Sequence, residues 1–169
     1  KVGTATMGET FETSDNKVTI HIVVRDPETA NFNTYSDFTN PELDHIDLIA
    51  GKVTGKIDQG DPRYKQDEVY TTKVIARFGS QEHVDANGIK TQYWKDLGNG
   101  FKEIIYTVNV DADAYFRLRG THHAFGAKDT QIDEVGNPIL DPFETNDAAE
   151  AFEDLWFYSN PVFVKKVNR

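Results

Sequence analysis

Apolar and polar side chains alternate along several segments of the chain, with the period of a strand that is buried on one face. In the clearest segment, Val18, Ile20 and Ile22 alternate with Thr19 and His21. The segments that show this pattern, or that are rich in aromatic and β-branched residues, are residues 2–6, 18–25, 43–50, 69–78, 101–110, 114–119 and 161–167. They predict about seven strands.

Residue pairs that favour turns separate these segments. They are Asp26-Pro27, Asn40-Pro41, Asp61-Pro62, Asn87-Gly88 and Gly98-Asn99-Gly100. Short strands with regular turn signals predict an all-β fold, an immunoglobulin-like antiparallel β-sandwich of about seven strands. Tyr115, four residues after Asp111, resembles the tyrosine corner of such folds. Asn146 is a suitable N-cap for one short helix over residues 147–155, near the C-terminus.

Composition narrows the classes of partner. The chain has 169 residues, which suits a single sandwich domain over residues 1–169 with one core. Its 28 acidic and 18 basic residues give a net charge of -10, which opposes binding to nucleic acid or to anionic membranes. No apolar run approaches the roughly 18 residues of a membrane span, so no membrane insertion is expected. The start, Lys1-Val2-Gly3-Thr4, predicts a mature or excised piece of a larger protein.

The sequence offers no catalytic constellation. Cysteine is absent, which excludes disulfides and thiolate chemistry. The five histidines form neither a His-x-His pair nor a His-Glu-x-x-His motif, and no serine lies in Gly-x-Ser-x-Gly. No glycine-rich phosphate loop is present either. We therefore predict no catalytic residues in this chain.

Two kinds of ligand site can be proposed from the residues. Asp129, Asp133 and Asp141 lie in a long polar segment, residues 120–145, and their carboxylates suit Ca²⁺ as a cofactor. Acidic loops are more often simply solvated. Arg117 and Arg119 are two positions apart on one strand face, so their guanidinium groups can grip a phosphate or carboxylate together. The alternative for these arginines is an internal ion pair.

If the tyrosine corner at Tyr115 forms, Arg117 faces inward, and Phe116 and Leu118 point away from the sandwich as an apolar patch that awaits a partner. Trp156 and Tyr158 are further candidates for this interdomain contact. Aromatic side chains of this kind also suit a stacking platform for sugars.

Four stretches resemble the C-terminal module of secreted PHP-type phosphoesterases, the polymerase and histidinol phosphatase family. The strongest are Tyr115-Phe116-Arg117-Leu118-Arg119-Gly120-Thr121 and Leu155-Trp156-Phe157-Tyr158-Ser159-Asn160-Pro161-Val162-Phe163-Val164. In that family the penultimate strand carries Tyr-x-Arg-x-Arg and the last reads Ser-Asn/Ser-Pro-Ile-x-Val, where this chain has valine for isoleucine. Residues 43–55 and 7–10 are similar to upstream parts of the module.

The resemblance implies a non-catalytic accessory domain that packs on, or shapes access to, the metal-dependent catalytic domain of the same polypeptide. It also implies a secreted, extracellular or periplasmic location. The histidine-rich metal motifs of the family's catalytic barrel have no counterpart here, so no catalytic residue is carried over. The alternative function is a calcium- or carbohydrate-binding β-sandwich module of an extracellular protein. A hydrolase within this chain has the least support from its residues.

Overall fold

The computed structural model describes residues 3–26, 42–66, 69–124 and 156–168. The described chain is all-β, and its short 3-10 helix is Pro62–Lys65. The ten strands are β1 Thr10–Thr13, β2 Lys17–Arg25, β3 His45–Lys52, β4 Lys73–Gly79, β5 Thr91–Tyr93, β6 Lys95–Gly98, β7 Phe101–Asn109, β8 Ala114–Thr121, β9 Trp156–Tyr158 and β10 Val162–Lys166. No helix in these residues is long and apolar enough to cross a membrane.

The strands form two sheets. The large sheet has seven strands. Six follow the order β1-β10-β8-β3-β4-β5, and the seventh, β9, pairs with β8 next to the start of β10. The small sheet has the order β2-β7-β6. Most neighbours are antiparallel, but β1 runs parallel to β10 and β4 runs parallel to β5. The large sheet therefore joins strands from both halves of the chain.

The two sheets pack face to face around one hydrophobic core, as a sandwich does. The buried core residues are Ile22, Ile104 and Val110 from the small-sheet side and Ile46, Leu48, Ala76, Phe78, Phe116 and Val164 from the large sheet. Phe78 and Tyr106 join the two sheets directly, because their ring centroids lie 5.5 Å apart at an interplanar angle of 73°. The alternation in β2, β3 and β7 thus predicts the inner faces correctly.

Several local predictions have a definite outcome. Residues 3–6 form no strand, and the first strand begins at Thr10. The Tyr115 hydroxyl bonds Thr72 Oγ1 at 2.6 Å, whereas a tyrosine corner bonds the backbone a few residues upstream. The prediction of a tyrosine corner is therefore wrong. The turn at Gly98-Asn99-Gly100 is confirmed as the β6–β7 connection, with positive φ at all three residues. The short helix over residues 147–155 lies outside the described residues, and immunoglobulin-like topology stays a prediction.

Candidate functional site

The outer face of the large sheet, which points away from the core, carries a buried polar cluster. We use this name for Asp47 on β3, Arg77 on β4, Arg119 on β8 and Asp85 in the turn after β4. Asp47 and Arg77 are 0% exposed, Arg119 1% and Asp85 8%. Strand alternation explains this arrangement, since Ile46 and Leu48 face the core and the residue between them must face outward.

One carboxylate joins three neighbouring strands. Asp47 Oδ1 accepts from Arg77 Nε at 2.8 Å. Asp47 Oδ2 accepts from Arg119 Nε at 2.8 Å and from Arg119 Nη2 at 2.6 Å. The cross-strand register aligns these residues, because Asp47 pairs with Arg77 on one side and with Arg119 on the other. The polar cluster therefore links the three central strands through side chains as well as through the backbone.

The Asp85 carboxylate completes the polar cluster from a turn. It accepts from Arg77 Nη1 and from the backbone amides of Asn87 and Ile89, the amides at 2.9 and 2.8 Å. The turn is closed by Val84 pairing with Lys90, which confirms the turn predicted at Asn87-Gly88. Two carboxylates thus face two guanidinium groups, so the four charges of the cluster balance.

Burial affects the pKa of two residues of the polar cluster, Arg119 and Asp85. Burial lowers the pKa of the Arg119 guanidinium below its ordinary value, although the Asp47 carboxylate opposes this shift. Burial by itself would raise the pKa of the Asp85 carboxyl, but hydrogen bonds from Ile89, Arg77 and Asn87 outweigh it and lower that pKa. The cluster consequently holds Asp85 in its ionised form.

Replacing Asp85 with asparagine is expected to weaken the dependence of stability on acid. Because the pKa of Asp85 is lower in the folded protein, its carboxylate stabilises the fold above its unfolded pKa, about 4. That contribution disappears as the pH falls through the folded pKa. Urea unfolding at a series of pH values should therefore show a lower unfolding free energy for Asp85→Asn at pH 7 and a shallower decline below about pH 4.

The matched control is Asp111→Asn, because the Asp111 side chain is 84% exposed and pairs with Lys52 Nζ at 3.4 Å. This control should keep the acid dependence of the wild type. An Asp85→Asn protein with an unchanged decline in acid would contradict the assigned role of Asp85.

Aromatic side chains from β9 lie over the arginines of β8. The guanidinium carbon of Arg119 is 5.1 Å from the Trp156 ring centroid, and that of Arg117 is 5.7 Å from the Tyr158 ring centroid. Such contacts stabilise a cation without neutralising it. Trp156 also lies 6.2 Å from the His123 ring, which is itself 4.1 Å from His122. Each of the two arginines of β8 thus lies against an aromatic ring of β9.

The predicted pair Arg117 and Arg119 shares one strand face but not one environment. Arg119 bonds Asp47 inside the fold, as in the ion-pair alternative. Arg117 is half-buried, and its contact among the described residues is with the ring of Tyr158. The two guanidinium groups are thus not both available to grip one anion.

The predicted outward patch differs from the structure. Phe116 is 6% exposed and belongs to the core, and Leu118 packs against that core. The physical reason is that Arg119 finds its partner Asp47 on the outer face, so alternation turns Phe116 and Leu118 inward. Trp156 is half-buried, while Tyr158 is 50% exposed. Of the four predicted contact residues, Tyr158 is the one with a largely exposed side chain.

The predicted calcium ligands Asp129, Asp133 and Asp141 lie outside the described residues. Where the structure describes the chain, it brings together no group of three or more metal-ligating side chains. The polar cluster itself combines carboxylates with guanidinium groups, which occupy the positions a cation would need.

The sequence analysis missed Asp47, Arg77 and Asp85. One signal was present, since Asp47 interrupts the apolar run of residues 46–50 and Arg77 stands between Ala76 and Phe78. A charge inside an otherwise apolar strand indicates a buried partner of opposite charge.

Fold and site together define an all-β sandwich whose outer face is stabilised by a buried, charge-balanced polar cluster. The chain matches no family model, no curated protein and no solved structure. The resemblance to PHP-type phosphoesterases therefore stays a prediction.

Proposed function

We propose that this chain is a non-catalytic accessory domain that packs against a neighbouring domain of the same polypeptide. One observation carries the proposal: the four charged residues of the polar cluster bond one another, whereas aromatic residues on the same outer face are exposed. Tyr158 on β9 is 50% exposed and Phe163 on β10 is 38% exposed. We call these two residues the aromatic rim.

The aromatic rim suits a protein interface. Tyrosine and phenylalanine bring a large contact area at a small cost in side-chain entropy, and they are enriched in interfaces. Both rim residues extend from strands that the sandwich fixes, since Tyr158 pairs with Arg119 and Phe163 pairs with Tyr115. The guanidinium carbon of Arg117 lies 5.7 Å from the Tyr158 ring centroid. A rigid aromatic surface of this kind loses little freedom when a partner covers it.

The resemblance to PHP-type phosphoesterases supports one proposal for the neighbouring domain. Both rim residues lie within the stretch that is similar to the end of PHP-type phosphoesterases. We therefore propose a metal-dependent phosphoesterase domain as the neighbour, with the metals and the catalytic residues located there. A secreted, extracellular or periplasmic location belongs to the same proposal.

The test compares variants of the aromatic rim in the full-length protein by scanning calorimetry. Replacing Tyr158 and Phe163 with serine should separate the unfolding of this domain from that of its neighbour, giving two transitions where the wild type gives one coupled transition. The matched control replaces Tyr93 and Phe101, which are exposed by 64% and 38% elsewhere on the sandwich. This control should unfold like the wild type.

Two results would count against the accessory role. One is a full-length rim variant whose transitions match those of the wild type. The other is turnover by this chain alone of p-nitrophenyl phosphate or its bis-ester in the presence of Mn²⁺ or Zn²⁺.

The alternative function uses the same exposed rings. Tyr158 and Phe163 can stack on sugar rings, as in a carbohydrate-binding module. Calorimetry of this chain with a panel of glycans, with and without calcium, distinguishes the two functions. Binding that is lost in the rim variant but kept in the Tyr93 and Phe101 control would favour the carbohydrate-binding module.

A further inference from the structure

The strand that borders β8 is interrupted opposite Arg117. On one side of the interruption β9 ends at Tyr158, which pairs with Arg119, and on the other β10 begins at Val162, which pairs with Phe116. Ser159, Asn160 and Pro161 form the interruption. Arg117 therefore has no paired strand residue on this border, although Ile49 is its partner on β3.

The interruption is held in place by hydrogen bonds. The Ser159 amide donates to the Leu118 carbonyl oxygen at 2.9 Å, and Ser159 Oγ accepts from the Leu118 amide at 2.8 Å. Pro161 contributes its carbonyl oxygen to the Gly8 amide at 2.8 Å. These bonds fix the interruption between β9 and β10, which we call the notch.

Arg117 is the guanidinium group within this notch. Its Nε is buried and has no hydrogen-bond acceptor among the described residues. The guanidinium carbon instead lies 5.7 Å from the Tyr158 ring centroid. Arg119, two positions along the same strand face, differs because Asp47 neutralises it. The half-buried charge of Arg117 is consequently not balanced by a described carboxylate.

The neighbouring polar cluster does not supply the missing charge. Asp47 and Asp85 already bond Arg77 and Arg119, so the cluster has no net charge to offer. A half-buried cation gains much more from an anion than an exposed cation does, because water screens the interaction less. An anion with two oxygens in one plane matches the guanidinium fork.

We propose that Arg117 anchors a small anion-binding notch, walled by Tyr158 and Phe163, that takes a carboxylate or phosphate group. The ligand is a single anionic group rather than a polyanion, because the net charge of -10 repels extended polyanions. This inference goes beyond the accessory role, since it concerns the chain alone. A neighbouring domain is not needed for binding, so the two proposals can fail separately.

The test is an NMR titration of this chain with sodium phosphate and, separately, with sodium acetate, at constant ionic strength set by sodium chloride. We expect saturable amide shifts confined to residues 117–119 and 158–163. Arg117→Gln should weaken the binding by about tenfold or abolish it. Arg117→Lys should weaken it less, because lysine keeps the charge but loses the planar fork.

The matched control is Arg25→Gln. Arg25 also lies over an aromatic ring, with its guanidinium carbon 5.5 Å from the Phe101 centroid, but it is exposed on the small sheet. This variant should bind as the wild type does. If phosphate binds and acetate does not, or the reverse, the notch holds and its preferred anion is identified.

Three outcomes would overturn the notch. They are shifts that do not saturate in the wild type, shifts that spread over the lysine residues of the surface, and equal affinity in Arg117→Gln. If Arg117→Gln does not fold, which its unfolding transition reveals, the comparison between the wild type, Arg117→Lys and Arg25→Gln decides the question. Equal affinities in those three proteins would also reject the notch.

Discussion

Asp47→Asn is expected to lower the free energy of unfolding by about 3–5 kcal/mol, because it leaves buried guanidinium charge without a partner. The Asp47 carboxylate is 0% exposed and bonds both Arg77 and Arg119. A neutral amide keeps one acceptor oxygen but places an N–H donor group against a guanidinium group. Asp85 then remains as the partner of Arg77, and one positive charge of the cluster is uncompensated. Urea unfolding followed by tryptophan fluorescence measures the loss.

The control for Asp47 is Asp96→Asn. Asp96 also accepts from a cation, Lys102 Nζ at 2.7 Å, but its side chain is 61% exposed. Exposed pairs of this kind contribute little to stability, so this variant should unfold close to the wild type. Equal effects of the two substitutions would contradict the importance of burial.

A second variant separates unpaired charge from lost packing. Adding Arg119→Met to Asp47→Asn removes the surplus positive charge and leaves Arg77 with Asp85. The double variant should therefore be less destabilised than the sum of the two single variants. Additive losses would show that the two residues act independently, against the observed hydrogen bonds.

Phe78→Ala is expected to lower the free energy of unfolding by about 3–5 kcal/mol, since it opens a cavity where the two sheets meet. Phe78 is 1% exposed and packs edge to face against Tyr106 of the opposite sheet. Neighbouring core strands cannot close the space without moving the sheets. Urea unfolding of Phe78→Ala beside Phe78→Leu should show a smaller loss for leucine, which refills most of the volume.

Phe101→Ala provides the matched control for Phe78, because Phe101 is 38% exposed on the small sheet. Its truncation should cost clearly less, as the lost side chain buries less apolar surface. Similar losses for the two phenylalanines would argue against Phe78 as the main contact between the sheets.

Alternation along single strands predicts the inner faces because that pattern depends on nearby residues alone. Ile46 and Leu48 are examples, and both lie in the core. The partners of Asp47 could not be derived in the same way. They lie 30 and 72 positions further along the chain, and only the order of strands brings them together.

The orientation of β8 was predicted incorrectly for a related reason. The sequence Phe116-Arg117-Leu118-Arg119 alternates cleanly, but alternation does not say which set faces the core. The tyrosine-corner comparison favoured inward arginines. Two contacts decide which face of β8 points to the core. Asp47 offers Arg119 a partner on the outer face, and Phe116 and Leu118 pack in the core.

The short strands β5, β6 and β9 were also missed. Strands of three or four residues are too brief for a clear period, and they depend on longer neighbours for their hydrogen bonds. The sequence of β9, Trp156-Phe157-Tyr158, consists of aromatic residues alone, so it carries no alternation at all. Its pairing with the end of β8 fixes it instead.

The parallel contact between β1 and β10 has a mechanical consequence. Thr10 aligns with Phe163 and Thr13 aligns with Lys166, so the two strands run in the same direction side by side. A force that pulls the start of β1 away from the end of β10 acts along the strands and loads their hydrogen bonds together in shear. An antiparallel pair pulled from its adjacent open ends would instead unzip one bond at a time. The sandwich should therefore resist stretching along this axis better than peeling across it.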